Sequence, residues 1–467
     1  MQVALIQPPK LKGKNINAEP LLPRCTGVPT KAPYLWPPIG LAYVASYLLQ
    51  ELSISCQILD AQAEDLSPER TAKEAARFDV VILNTSIPAI YRDLEICEMI
   101  KKYSPETKIG LIGTFASFFH KDLVKNEAID FVARGEPEKP LRNALKYFSG
   151  KSMVAAGLTI KKDHKILCFP NEKPLKDLEI MPFAARQLLN YNKYYDILTK
   201  GKRLDFLISS RGCPFSCNFC SSSAFSKKYR ERSAGSVLDE CYEINELGHD
   251  DITFFDDTFT INKRRLLQIC AGLSELNINW RCLSRTDTVD KEMLISMYNS
   301  GCYQIHFGVE SGSQEMLENM NKGTKIEDVK KVFKMCNDVG IETVAFFIVG
   351  YPGETEETIE KTKELANELD ADFATFNIFT PLPGSKIFYR FSHDGCWENY
   401  DFCSKSFCKI PTPVLKKEVS KAYRYFYLRP GYIFRRIKKS GFKRVLLQNI
   451  KFWLMNEGIL WDVIRRG

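Results

Sequence analysis

Arg211-Gly212-Cys213-Pro214-Phe215-Ser216-Cys217-Asn218-Phe219-Cys220 follows directly on an apolar run at 204–208. The three cysteines stand in the spacing C-x-x-x-C-x-x-C. Three thiolates on one short loop can hold three corners of a cubane 4Fe–4S cluster and leave the fourth iron without a protein ligand. Clusters that only pass electrons are generally held by four cysteines. An iron with an open position can also bind a small molecule and deliver an electron into it. Zinc in structural sites takes four protein ligands, often from paired C-x-x-C units, and no nearby His or Cys pair completes such a set. Cys213, Cys217 and Cys220 are therefore the candidate metal ligands, with three unrelated buried thiols as the plain alternative.

The segments on either side of this loop predict an α/β fold. From 204 onward, strands are expected at 204–208, 252–255, 280–283, 303–307, 343–349 and 373–379. Helices at 236–247, 263–276, 291–300, 326–339 and 356–369 separate them. Six β/α units predict an incomplete barrel, whose chemistry belongs in the loops after the strands. Upstream, strands at 3–6, 56–59, 80–83, 109–112 and 131–133 alternate with helices at 41–52, 68–78, 91–103, 118–126 and 138–148. That alternation predicts a doubly wound parallel sheet, which binds ligands beyond the carboxyl ends of its strands. The expected division is an N-terminal sheet domain at 1–150, a connector at 151–200, a partial barrel at 201–390 and a basic helical extension at 391–467. A hairpin of 159–160 and 166–169, turning at 161–164, is expected within the connector.

With 467 residues the chain is long enough for several cores, and its composition is that of a globular protein. Fifteen scattered cysteines, behind a start that runs straight into a strand pattern, predict a reducing, cytoplasmic setting rather than a disulfide scaffold. No apolar run approaches the roughly 20 residues needed to span a bilayer. The net charge of +8 is uneven: 14 Lys and Arg against three acidic residues leave 415–467 at +11 and the rest near −3. Tyr423 to Leu428 and Phe434 to Lys439 interleave aromatic and basic side chains, and Trp453 and Trp461 follow. Such a pattern suits an anionic membrane interface or a solvated helical cap over the barrel mouth. No nucleic-acid-binding module is present, and no nucleic-acid partner is expected. Cys396, Cys403 and Cys408 are too loosely spaced for a second cluster and read as ordinary buried thiols.

The cysteine loop resembles the signature of the radical S-adenosylmethionine (SAM) enzymes, whose open iron chelates SAM. That resemblance implies SAM contacts at the ends of the barrel strands. Phe219 matches the aromatic whose backbone meets the adenine. Asp256, in Phe255-Asp256-Asp257-Thr258-Phe259, falls where the methionine amino end is met, although these carboxylates would equally suit helix caps. Arg285 suits the carboxylate or ribose through its bidentate fork. Glu310, in Gly308-Val309-Glu310-Ser311-Gly312, suits a ribose hydroxyl, and the glycines allow close backbone approach. Gly350, in Gly350-Tyr351-Pro352-Gly353-Glu354, falls near the adenine, and Pro381 to Gly384 follow the sixth strand. Each such turn also has a purely local explanation; their order downstream of the cysteines carries the weight.

The first 150 residues resemble the cobalamin-binding domain joined to many of these enzymes. The matching segments are Gln7-Pro8-Pro9, Pro37-Pro38-Ile39-Gly40-Leu41, Asp60-Ala61, Ser86, Gly113-Thr114 and Arg134-Gly135-Glu136. By that likeness Gly40, Ser86, Gly113, Thr114, Gly135 and Glu136 are the candidate cofactor contacts, small residues opening a shelf for the corrin ring. Many members carry Gly-Gly where this chain has Gly113-Thr114. The D-x-H-x-x-G motif that supplies a cobalt-ligating His elsewhere is absent. None of His120, His164, His249, His306 and His393 falls between the first strand and its helix, so a corrinoid here is expected to lack a histidine beneath cobalt.

The family includes the anaerobic magnesium-protoporphyrin cyclase and hopanoid-modifying proteins. The resemblance implies three cofactors, a 4Fe–4S cluster, SAM and cobalamin, with a reducing partner such as flavodoxin or ferredoxin. The implied activity is modification of an unactivated carbon of a small molecule. Methyl transfer comes first, on a lipid or isoprenoid if the basic tail meets a membrane. Ring cyclisation or rearrangement, and a non-catalytic corrinoid or iron–sulfur carrier, are the alternatives. A sheet domain that binds nothing is the alternative for residues 1–150.

Overall fold

The computed structural model describes residues 1–11, 34–153, 155–163, 165–222, 228–391 and 405–440. The first sheet has seven strands in the order Ser55–Asp60, Gln2–Gln7, Val80–Asn84, Lys108–Ile112, Phe131–Ala133, Leu158–Lys162 and Lys165–Cys168. The first five run parallel. Val80–Asn84 is buried at every position, its apolar run of four before Asn84 being the pattern of an interior parallel strand. The order reverses between Gln2–Gln7 and Val80–Asn84, which makes their carboxyl ends the switch point where such sheets open a crevice. Asn84 donates to the Gln7 side chain across it at 3.2 Å.

Two local expectations are corrected here. The connector hairpin is antiparallel but belongs to this sheet, Phe131 pairing with Ile160, and its strands run on to Lys162 and resume at Lys165. The single helix expected at 118–126 is two short ones, Thr114–Phe118 and His120–Leu123, separated at Phe119. Within the first, the Ser117 hydroxyl donates back to the Gly113 carbonyl at 2.9 Å, a local bond that competes with helix propagation. Phe115 and Phe119, their ring centroids 4.8 Å apart, both enter the core.

The second sheet follows the chain: Leu204–Leu207, Asp251–Phe254, Asn279–Ser284, Cys302–Glu310, Glu342–Val349 and Phe373–Ile378, all parallel. This is the expected six-unit open barrel, with its five helices within a few residues of expectation. Its two edges are covered differently. Leu204, Phe206 and Ile208 join the core of the helix Ile39–Glu51 from the first domain. At the other edge lies the helix Thr412–Tyr427. The Tyr423 hydroxyl accepts the Phe376 amide at 3.1 Å. The Tyr427 hydroxyl accepts the Ala374 amide at 3.0 Å and donates to the Ala374 carbonyl at 2.9 Å. Covering an edge strand in this way removes a template for unwanted strand pairing.

The described part of the basic extension is thus a helical cap on the barrel's edge. Arg436 pairs with Asp372 and Glu342 at 2.8 and 2.9 Å, and Tyr432 donates to the Asp372 carbonyl. Trp453, Trp461, Cys396, Cys403, His164 and His393 lie outside the described residues. Cys408 is half-buried beside Ser406. No described helix is long and apolar enough to cross a membrane.

The two domains meet over buried polar and aromatic contacts. Arg186 pairs with Asp205 at 2.8 Å and with Glu240 at 2.7 Å. Glu240 also takes Arg232 and accepts the Tyr43 hydroxyl. Gly384 lies so close to Phe118 that a Cβ would fall 2.0 Å from its ring, and Phe388 meets Phe119 edge-on.

Candidate functional site

The short strands Ser210–Arg211 and Arg230–Glu231 pair in a two-residue antiparallel ladder, the neck from which the cysteine segment leaves, with Arg211 directly opposite Arg230. Cys213, Cys217 and Cys220 follow the neck, none of them in a disulfide, Cys217 buried and the others half-buried. The far side is fastened to the segment at 319–321. The Asn218 amide donates to the Met320 carbonyl at 2.8 Å. Its side chain donates to the Asn319 carbonyl at 2.9 Å, and Asn321 donates to the Ser216 carbonyl at 2.8 Å.

Arg285, at the end of the third barrel strand, joins this loop to the barrel. Its guanidinium lies 3.7 Å from the Phe215 ring centroid and places Nη1 at 3.4 Å from Cys217 Sγ. The fork expected for a SAM carboxylate or ribose is engaged with Asp287 at 2.9 and 2.7 Å, and with the Lys322 carbonyl at 2.6 Å. Burial pushes the Cys213 thiol up, with the Asp257 charge adding to it. Burial pushes Cys220 up to about 11, again with Asp257 contributing. Metal binding must therefore displace protons from these thiols. Among the described residues no three Cys, His, Asp or Glu side chains converge on a single ion. Three thiols on one loop, one beside a fixed cation, fit a group that takes its ligands at separate corners.

Glu310 ends the fourth strand at φ 70°, a left-handed conformation unusual for a residue with a side chain. The register shifts there between Gly308 and Glu310. The bulge turns the carboxylate onto the Lys322 ammonium at 2.8 Å, with both side chains buried. Gly308 makes room for this pair, since a Cβ would fall 2.4 Å from Glu310 Oε1. Lys322 Nζ also lies 5.9 Å from the ring centroid of Phe219, which packs against Met316, Met320 and Tyr351. Phe219, Arg285 and Glu310 are thus brought together with the cysteines, and Lys322 is the residue that links them.

Three expected contacts have other partners. Asp256 is buried, accepting from the Ser209 amide at 2.7 Å and from the Ser209 and Ser210 hydroxyls at 2.6 and 2.7 Å. It ties the first two barrel strands together, while the charge of the adjacent Asp257 acts on Cys213 and Cys220. Gly350 donates to Glu354 at 3.0 Å, and its α-carbon faces Leu415 of the edge-capping helix. Gly312 is small for a helix rather than a ligand: a Cβ there would meet the Lys361 carbonyl at 2.1 Å.

In the first domain, Ser86, Gly113 and Thr114 lie at the carboxyl ends of neighbouring strands, with Ser86 and Thr114 buried. Gly113 adopts φ 109°, and a Cβ would fall 2.8 Å from the Thr85 carbonyl. Gly135, at φ 80°, has no atom of the described residues, its chain neighbours aside, within 4 Å of where its Cβ would stand. Small residues thus stand at these strand ends with space at Gly135, in keeping with a broad flat ligand laid across them as on a shelf. Gly40 is buried in the first turn of the helix Ile39–Glu51. Glu136, expected at the cofactor, is instead engaged by Arg211 and Arg230. Glu138, Arg230, Phe215 and Lys322 had not been singled out; each reaches the site through a tertiary contact that no local spacing marks.

Comparison with known proteins bears on this geometry. The model of the Radical SAM superfamily matches residues 207–366, and that of the B12 binding domain matches residues 26–145. An uncharacterized methyltransferase of Pyrococcus horikoshii is 31% identical over 86% of this chain and 90% of its own length. An anaerobic magnesium-protoporphyrin IX monomethyl ester cyclase of Rubrivivax gelatinosus is 30% identical over 85% of this chain and 75% of its own. Among solved structures, the radical S-adenosylmethionine methyltransferase TsrM of Kitasatospora setae, with cobalamin and a [4Fe-4S] cluster bound, superposes with TM-score 0.67. It shares 17% identity over 83% of this chain and 74% of that one, a likeness of fold.

Proposed function

From membership of the radical SAM superfamily, to which this chain belongs together with its B12 binding domain, we propose that it methylates an unactivated carbon of a small molecule. The observation that carries the reading is the three-thiol loop, held at its neck by the domain whose strand ends form the shelf. One polypeptide thereby joins the two cofactor sites that such a transfer requires. When bound, the cluster supplies the electron that cleaves SAM, and cobalamin carries the methyl group. The protein's part is to bind, orient and exclude water.

In this reading residues 201–390 take the cluster and SAM, and residues 1–150 take the corrinoid. Cys213, Cys217 and Cys220 hold three irons, and Arg285 keeps a positive charge against Cys217. Phe219 and the Glu310–Lys322 pair line the SAM side. Ser86, Gly113, Thr114 and Gly135 line the corrinoid side. A low-potential donor of the flavodoxin or ferredoxin class supplies the electron, in a cytoplasmic setting.

Anaerobic reconstitution with iron, sulfide and hydroxocobalamin, followed by incubation with methyl-labelled SAM and cell extract, tests this proposal. Label in an extracted product, dependent on both cofactors, supports it. SAM cleavage without cobalamin dependence would leave a radical SAM enzyme of another reaction type. Ring closure is the second reading, favoured by the cyclase of Rubrivivax gelatinosus at 30% identity. A lipid or isoprenoid acceptor rests on the basic residues of 441–467. Sedimentation with anionic vesicles, comparing the full chain with one ending at 440, tests that point.

A further inference from the structure

The neck of the cysteine loop places two arginines face to face, Arg211 opposite Arg230 in the antiparallel ladder. Side by side and buried, two guanidiniums repel unless anions lie between them. The anions come from the other domain. Glu136, just past the strand Phe131–Ala133, accepts from Arg211 at 3.2 Å and from Arg230 at 3.1 Å on one oxygen, and from Arg230 again on the other. Glu138, in the first turn of the next helix, takes the second Arg211 nitrogen at 2.6 Å. All four side chains are buried, and the set balances two positive charges with two negative. Gly135, whose α-carbon faces the open shelf, is the residue directly before Glu136. Cys213 is two residues past Arg211.

We propose that Glu136 is a positioning residue rather than a cofactor ligand, and that through it corrinoid binding at the shelf and cluster binding at the cysteine loop are thermodynamically coupled. The inference rests on the two-cofactor reading above. A ligand that orders the 134–138 loop orders the neck, and a cluster that orders the neck orders the loop. Coupling of this kind is reciprocal.

The test is the affinity of the full chain for hydroxocobalamin, followed by visible absorption under anaerobic conditions, with the cluster reconstituted or absent. The wild type should bind on the order of tenfold more tightly with the cluster present, within the usual range for coupled sites. Glu136→Gln should still bind, but with the ratio of the two affinities close to one. Glu136→Asp and Arg230→Lys keep the charge and shorten the reach, so their ratios should fall between; they also serve if the first variant does not fold. A wild-type ratio in Glu136→Gln would overturn the proposal. So would complete loss of binding in both states, which marks a direct ligand. A wild type that binds no hydroxocobalamin in either state removes the two-cofactor reading itself, and is distinguished by that.

Discussion

Lys322 accepts the Arg285 guanidinium on its carbonyl, while its ammonium is held by Glu310. Removing one member of a buried ion pair strands the other at a cost of about 3–5 kcal/mol. Lys322→Met should therefore lower the denaturation midpoint sharply, and Glu310→Met with Lys322→Met together should recover most of the loss. If the pair serves SAM, the double variant stays stable and yet binds SAM weakly in equilibrium dialysis. Equal SAM affinity in the double variant and the wild type would make the pair structural only. Asp60 offers a test by pH. Burial raises its carboxyl from 3.8 to about 6, against the opposing bonds from the Ala63 amide and the Tyr194 hydroxyl. The folded state then holds the proton more tightly than the unfolded one, so stability falls as pH rises through this range. Between pH 5 and 7.5 the wild type should lose about 1 kcal/mol relative to Asp60→Asn, by linkage at 1.36 kcal/mol per pKa unit. Parallel denaturant titrations at the two pH values check it, and no change in the difference would show that Asp60 titrates normally.

Two elements depend on single contacts that their own sequences do not announce. The helix Glu356–Glu368 approaches the end of the fourth barrel strand so closely that Gly312 has no room for a side chain. The obstacle is backbone, so Gly312→Ala must shift the helix, at a cost of about 1–3 kcal/mol for overpacking. A denaturant midpoint equal to wild type would contradict the approach. The helix Thr412–Tyr427 satisfies the edge strand through Tyr427, which both accepts from and donates to Ala374. Tyr427→Phe leaves an amide and a carbonyl without that partner, costing about 1–3 kcal/mol, and should also promote association along the bared edge, read by light scattering. The strands and helices of both sheets were legible because apolar runs and helical periodicity are local signals. A helical cap is one of two readings the tail allows, but its place on the edge strand is not legible, because Tyr423 and Tyr427 within a basic, aromatic stretch carry the same pattern whether they face lipid or a strand.

At the scale of the molecule, the division into a doubly wound sheet, an open barrel and a helical extension followed from the alternation of elements. What the chain order could not convey is how the domains interlock. Glu136 and Asp256 read as ligand contacts because both stand after a strand, where such folds place ligands. In the structure protein donors hold both, Glu136 between domains and Asp256 between strands, since a buried carboxylate is held wherever donors converge on it. Cys213, Cys217 and Cys220 are legible as a set because their spacing alone places them on one short segment. The central claim is an iron that these three thiols leave open to SAM. Full-length protein reconstituted anaerobically and reduced should show the paramagnetic resonance signal of one 4Fe–4S cluster, and that signal should change on addition of SAM. Absence of the cluster signal, or a signal that SAM leaves unaltered, would contradict the account.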